Sequence, residues 1–141
     1  MKNALFIKWQ ECNETGIPII DEQHRCIVSI INSFHYLAER GAGDSSLYLL
    51  IGDALKTYIR IHFITEERIL EAAKYPDLEK HRELHKKLTQ DTGRIEYSAV
   101  QENDSRELFS FLKKWWLGHI NQEDMQYMPH LNEYAKTHGP C

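Results

Sequence analysis

"EKHRELHKK", Glu79–Lys87, is the stretch on which the reading of this chain turns. His81 and His85 stand four residues apart in a run that is otherwise mostly charged. On an α-helix that spacing stacks two side chains on one face, about one turn apart. Extended in both directions, the same face reads Leu78, His81, His85, Leu88, Thr92 and Ile95. Glu79, Arg82, Glu83, Lys86 and Lys87 fall on the other faces and stay with solvent. The segment therefore predicts an amphipathic helix whose inward row carries imidazoles among leucine and isoleucine.

Three further segments show the same periodicity. The spacing predicts a first helix from Asp21, as cap, to the glycines at 41–43, with an inward row of Ile20, His24, Ile27, Ile31 and Phe34. A second helix follows Asp44 or Ser45 and ends near Lys74, because Pro76 forbids continuation. Its row is Leu55, Tyr58, His62, Glu66, Ile69 and Ala73. The third opens at "YPDLEK", Tyr75–Lys80, with proline and acidic residues suited to a helix start. The fourth begins after Asn103 or Asp104 with Leu108, Leu112, Trp115, His119 and Gln122 in its row and Asp124 beside it, and is expected to be interrupted or kinked at Pro129.

Long helices with short connections pack most simply as an all-α, antiparallel up-down-up-down four-helix bundle. At 141 residues the chain is long enough for one domain with a real core and too short to expect two. We expect a single unit over 1–141, with an N-terminal arm over 1–20 and the bundle over 21–136. Hydrophobic residues make up 42% and charged residues 27%, ordinary proportions for a globular chain. The net charge of −4 is interspersed, so no basic patch recruits nucleic acid. The apolar runs are too short to span a membrane, and "MKNALFIKWQE" lacks a signal-peptide cleavage site. Cys12, Cys26 and Cys141 are odd in number and form no C-x-x-C, which fits a reducing cytoplasm.

The anomaly lies in the seams. A core row should be filled with leucine and isoleucine, yet histidine interrupts all four rows and a carboxylate stands at or beside two of them. One such histidine is more often a satisfied packing residue than a ligand. H-x-x-x-H and H-x-x-x-E are each weak signals, because charged helices produce them by chance. His119 and Asp124, five apart, are about 140° from one another on an ideal helix and need a local deformation to face together.

Four rows behaving alike carry more weight than any one. The inward polar set is His24, His62, Glu66, His81, His85, His119 and Asp124. Burying two uncompensated carboxylates would cost several kcal/mol each, in the order-of-magnitude sense. Metal ions remove that cost. The set is too large for one tetrahedral zinc and suits two octahedral ions with both carboxylates bridging. Mixed imidazole and carboxylate ligation suits non-haem iron, and manganese and zinc accept the same ligand types.

The ordered combination H, H-x-x-x-E, H-x-x-x-H, H-x-x-x-x-D resembles the hemerythrin family, in particular single-domain bacterial hemerythrins. The resemblance runs through Trp9 and "GIPIIDEQH" (Gly16–His24), "HFITEE" (His62–Glu67), "KYPDLEKHRELH" (Lys74–His85) and "WWLGHINQEDMQY" (Trp115–Tyr127). It implies two iron ions in a non-haem diiron centre with an oxo or hydroxo bridge. By that resemblance His81, His85 and His119 ligate one iron, His24 and His62 the other, and Glu66 and Asp124 bridge. It further implies reversible dioxygen binding at the two-histidine iron, for storage, delivery to oxygen-consuming enzymes, or scavenging. The alternatives are a diiron enzyme that reduces dioxygen, peroxide or nitric oxide, and an oxygen sensor acting through a separate partner.

Ile27, Trp115, Trp116 and Ile120 flank His24 and His119 by a turn or less and are candidates for an apolar oxygen pocket. The family commonly has Trp-Leu where this chain has Trp115-Trp116. His35, His130 and His138 match no ligand position and read as surface or packing residues. Glu67 and Glu123 are placed by helix phase away from the site's centre.

Overall fold

A computed structural model describes residues 5–40, 45–115, 118–120 and 124–138. Helices α1 (Pro18–Glu39), α2 (Ser45–Ala72), α3 (Leu78–Glu102), α4 (Arg106–Trp115) and α5 (Met128–His138) follow in order, with no strand among the described residues. α1 packs on α2, α2 on α3 and α3 on α4, so the chain runs up, down, up and down. Among the described residues no helix is long and apolar enough to cross a membrane.

The first helix starts at Pro18, three residues before the expected Asp21 cap. Proline's missing N–H costs nothing at the first helical position. Asp21 instead anchors the arm, its carboxylate accepting from Thr15 N at 2.7 Å, Thr15 Oγ1 at 2.8 Å and Gly16 N at 3.1 Å. Gly16, at φ +82°, turns the chain into the helix. Further out, Asn32 pins the arm through Ile7, accepting from its N–H and donating to its carbonyl, both at 2.8 Å. The glycines at 41–43 and Asp44, expected to end one helix and cap the next, lie outside the described residues. Asp21→Ala strands three donors on the arm and should cost about 2–4 kcal/mol, since hydrogen bonds to a charged group are worth roughly 1.5–3 kcal/mol each and partial rehydration recovers some of it. Urea unfolding measures this.

α2 ends in a Schellman motif. Lys74 adopts the left-handed conformation at φ 56°, Tyr75 N–H donates to Leu70 O at 2.9 Å and Lys74 N–H to Glu71 O at 3.0 Å. Asn103, at φ 48°, ends α3 in the same conformation. The fourth helical segment departs most from expectation. The interruption expected at Pro129 falls just before it, where a 3-10 turn ending at Tyr127 gives way to α5 at Met128. The described part of α4 reaches Trp115, residues 118–120 are π-helical, Asp124–Tyr127 is a 3-10 turn, and Pro129 sits in the first turn of α5.

Two apolar clusters fill the interior. The larger includes Ile27, Ile31, Phe34, Leu55, Ile59, Phe63, Ile95, Leu108, Leu112, Trp115 and Ile120; the smaller is Ile20, Leu70, Ala73, Tyr127 and Leu131. Along each helix a polar layer separates them: Ile20, then His24, then Ile27 on α1, and Ile59, then His62 and Glu66, then Leu70 on α2.

Candidate metal centre

All seven predicted side chains lie in that layer and are buried. α1 delivers His24, α2 delivers His62 and Glu66 one turn apart, and α3 delivers His81 and His85 likewise. The irregular fourth segment delivers His119 and Asp124. Residues 118–120 are π-helical and Asp124 opens a 3-10 turn, so the α-helical period does not govern the five-residue interval between His119 and Asp124.

The atoms sort into two groups. Nitrogens and oxygens of Glu66, His81, His85, His119 and Asp124 lie within 4.8 Å of one another, and so do those of His24, His62, Glu66 and Asp124. The two groups share both carboxylates, one oxygen toward each side. Glu66 Oε1 accepts a hydrogen bond from His81 Nε2 and lies 3.1 Å from His85 Nε2, while Oε2 lies 3.5 Å from His62 Nε2. Asp124 Oδ1 lies 3.0 Å from His119 Nε2 and 3.3 Å from His81 Nε2, while Oδ2 lies 3.5 Å from His24 Nε2. His24 Nε2 and His62 Nε2 face each other at 3.1 Å.

This donor set fits metal ions. His85 Nε2 and both Asp124 oxygens are buried and make no aligned hydrogen bond, although ring nitrogens or carboxylate oxygens stand 3.0–3.5 Å away. Neighbouring ligands at right angles around an ion, with bonds of about 2.1 Å, stand about 3.0 Å apart. The cluster can hold a metal, and its two groups of donors share both carboxylates.

Without metal, protons take the ions' place. Burial pushes His24 down to about 4 and His62 down to about 3, against the pull of Glu66, and holds His119 well below its ordinary value. Burial would also depress His81, but the Asp124 and Glu66 carboxylates beside it outweigh that and raise the ring to about 10. Burial works against the Glu66 carboxylate, yet His81 and His85 hold it well below the usual range; burial and Glu66 push Asp124 well above.

The stability of the metal-free protein follows. Below the unfolded histidine value of about 6.5 the unfolded chain takes up protons that buried His24, His62 and His119 refuse, so stability falls with acid. For His24 alone the full loss is about 3 kcal/mol. Above about 6.5 the sign reverses, because folded His81 keeps a proton the unfolded chain has released, and stability declines as pH rises toward 10. Denaturant midpoints taken with chelator across pH 4–10 should peak near pH 6.5. With metal bound, which displaces the proton on His81, the alkaline decline should vanish.

Several partners around the cluster had no signal in the sequence. Gln23 Oε1 accepts from His62 Nδ1 at 2.9 Å. Tyr127, fully buried, donates its hydroxyl to Glu66 Oε2 at 3.1 Å, and burial pushes that phenol far up, so it stays a donor. Phe63 lies flat against His85, with centroids 3.8 Å apart and planes 6° apart. Glu67 comes within 3.8 Å of His85 Nδ1 and so lies closer to the site than its helix phase implies. Of the expected oxygen-pocket residues, Ile27, Trp115 and Ile120 are buried, and Trp115 stacks on His119 at 6.0 Å. Trp116, Gln122, Glu123 and the side chain of His138 lie outside the described residues. His35 stacks on Phe6 at 4.2 Å, and the His130 ring bonds to Ala73 O, both away from the cluster.

Comparison with known proteins meets the same pattern. The model of the hemerythrin HHE cation binding domain matches residues 15–131. A bacteriohemerythrin of Stenotrophomonas maltophilia is 32% identical over 141 residues, covering 96% of this chain and 90% of that protein. A bacteriohemerythrin of Pseudomonas aeruginosa is 32% identical over 122 residues, covering 85% and 78%. A crystal structure of a hemerythrin leucine-to-alanine mutant superposes with a TM-score of 0.78 at 25% identity, over 91% of this chain and 98% of that one. With a family model spanning most of its length and a relative alike almost from end to end, the chain belongs to the hemerythrin family.

Proposed function

We propose that the cluster holds two iron ions and that the protein binds dioxygen reversibly. The observation that carries this is the pair of nitrogen and oxygen groups joined through both carboxylates of Glu66 and Asp124 in a buried layer. His81, His85 and His119 would hold one ion, His24 and His62 the other, and the carboxylates would join them. With one imidazole fewer, the side of His24 and His62 keeps room for a small exogenous ligand. When bound, the ions supply the reversible electron exchange that dioxygen binding requires.

The chain's own residues prepare and protect the site. Depressed values keep His24, His62 and His119 neutral near pH 7, the form a metal takes. Tyr127 fixes the Glu66 carboxylate by its hydrogen bond, so the oxygen aimed at His62 keeps its direction. Ile27, Phe63, Trp115 and Ile120 exclude water from the layer, and few protons can then reach a bound ligand. The outer edges of His81 and His85 border surface grooves of ≈ 310 Å³ and ≈ 420 Å³, whereas His24 and His62 are wholly buried. A small, neutral ligand suits such a closed layer.

Metal analysis of protein from iron-replete cells should give two irons per chain; a full zinc complement or no metal defeats the proposal. Mixing the anaerobic reduced protein with dioxygen should give an adduct that returns to the reduced form under vacuum. Immediate, irreversible oxidation would instead support an oxygen-reducing enzyme. Oxygen-consuming enzymes are the partners that delivery would serve.

A further inference from the structure

We infer that Thr65, itself not a candidate metal ligand, sets the proton polarity of His62 through Gln23. The inference comes from a chain of hydrogen bonds whose directions can be settled one at a time. Thr65 Oγ1 lies 2.8 Å from Ile61 O. A carbonyl can only accept, so the hydroxyl proton is committed there, back-bonded within α2. The hydroxyl oxygen is left as an acceptor. It faces the Gln23 amide at 3.1 Å, and the amide presents its NH2 end.

That choice fixes the other end of the amide. Gln23 Oε1 points at His62 Nδ1, 2.9 Å away, and a carbonyl-type oxygen there requires Nδ1 to carry the proton. Nε2 is then the unprotonated nitrogen. It faces His24 Nε2 at 3.1 Å and Glu66 Oε2 at 3.5 Å, which is where a ligand lone pair is needed. Gln23 and His62 are both buried, which shields the bond between them from water.

Thr65 is therefore a positioning residue two steps removed from the metal layer. Without its hydroxyl the amide has no reason to keep its NH2 outward, and a flipped amide would donate to Nδ1 and place the ring proton on Nε2. The two tautomers of His62 would then both be populated, and only one of them can ligate. The effect on metal retention rests on the two-iron reading above. The direction of the ring proton does not.

The test compares the full iron-loaded chain with Thr65→Val, Thr65→Ser and Gln23→Glu. Two quantities are read: the rate of iron loss to excess chelator, and the solvent-exchange lifetime of the His62 ring N–H by proton NMR with 15N-histidine labelling. Thr65→Val is nearly isosteric and half-buried, so packing changes little. It should lose iron about tenfold faster, the size of effect expected for a partner of a metal-bound imidazole, and its ring proton should exchange correspondingly faster. Thr65→Ser restores the hydroxyl and should match the wild type. Gln23→Glu, whose carboxylate cannot donate to the ring whichever way it turns, should also retain the protected proton. Thr65→Val matching the wild type in exchange, or Gln23→Glu exchanging as fast as Thr65→Val, overturns the inference. If the wild type takes up no iron the functional reading fails, and the His62 nitrogen shifts of that metal-free chain still decide: a protonated Nδ1 supports the relay and an unprotonated one overturns it.

Discussion

On the two-iron reading proposed above, Glu66→Ala should empty both metal positions at once, with bound iron falling from two per chain to near none. Glu66 is one of the two side chains common to both groups, with one oxygen toward His81 and His85 and the other toward His62. Removing even an outer partner of a ligand typically costs roughly 10–100-fold in affinity, and loss of a shared ligand must exceed that at each position. Tyr127 also loses the acceptor of its hydroxyl, and His81 keeps Asp124 as its carboxylate neighbour. His130→Ala, whose ring bonds to Ala73 O away from the cluster, is the control and should keep its iron. Iron per chain, measured after identical dialysis against a chelator, separates them. Equal retention would overturn the assignment.

Phe63→Ala should be the most damaging single truncation in the larger core, at about 3–5 kcal/mol. The ring is almost wholly buried, lies flat on His85 and meets Trp115 and His119 edge-on at 6.3 Å and 5.8 Å. It also lines, with His85, the groove bordered by Arg60, Glu67, Arg82 and Lys86, so its removal widens the access of water to the His85 ring. Phe63→Leu keeps most of the volume and should cost less than about 1.5 kcal/mol. Urea unfolding of the metal-free proteins reads both numbers. A Phe63→Ala loss below that of Phe63→Leu would show that the ring does not hold this part of the core together.

The three regular helices are legible in the sequence for one reason. An unbroken α-helix keeps its period, so Ile20, His24 and Ile27, or Leu78, His81, His85 and Leu88, declare a common face without any knowledge of neighbours. The fourth segment is not, because 118–120 and Asp124–Tyr127 leave the α-helical period and phase cannot be counted across them. His119 and Asp124 join the inward set only on the weight of the other three rows, their five-residue interval is explained only by the family pattern, and the break expected at Pro129 falls one residue earlier, where α5 opens at Met128. Gln23 and Tyr127 stay hidden for a different reason. Their partners, His62 and Glu66, are on other helices, and the register between helices is a tertiary quantity. Asp21 likewise reads as a helix cap, whereas its partners are Thr15 and Gly16 of the arm.

The polar layer also divides the molecule. Histidines and carboxylates separate the smaller cluster of Ile20, Leu70, Ala73, Tyr127 and Leu131 from the larger one. Apolar contact makes a protein open as one unit, and here that contact is interrupted. Metal-free protein should accordingly exchange its amide hydrogens in two tiers, with the amides around Leu70 and Tyr127 released by a partial opening that leaves the Phe34 and Leu112 end intact. Metal ions tied to all the helices would join the two tiers into one. Loading the site would then be read as a gain in cooperativity, visible at amides far from any ligand.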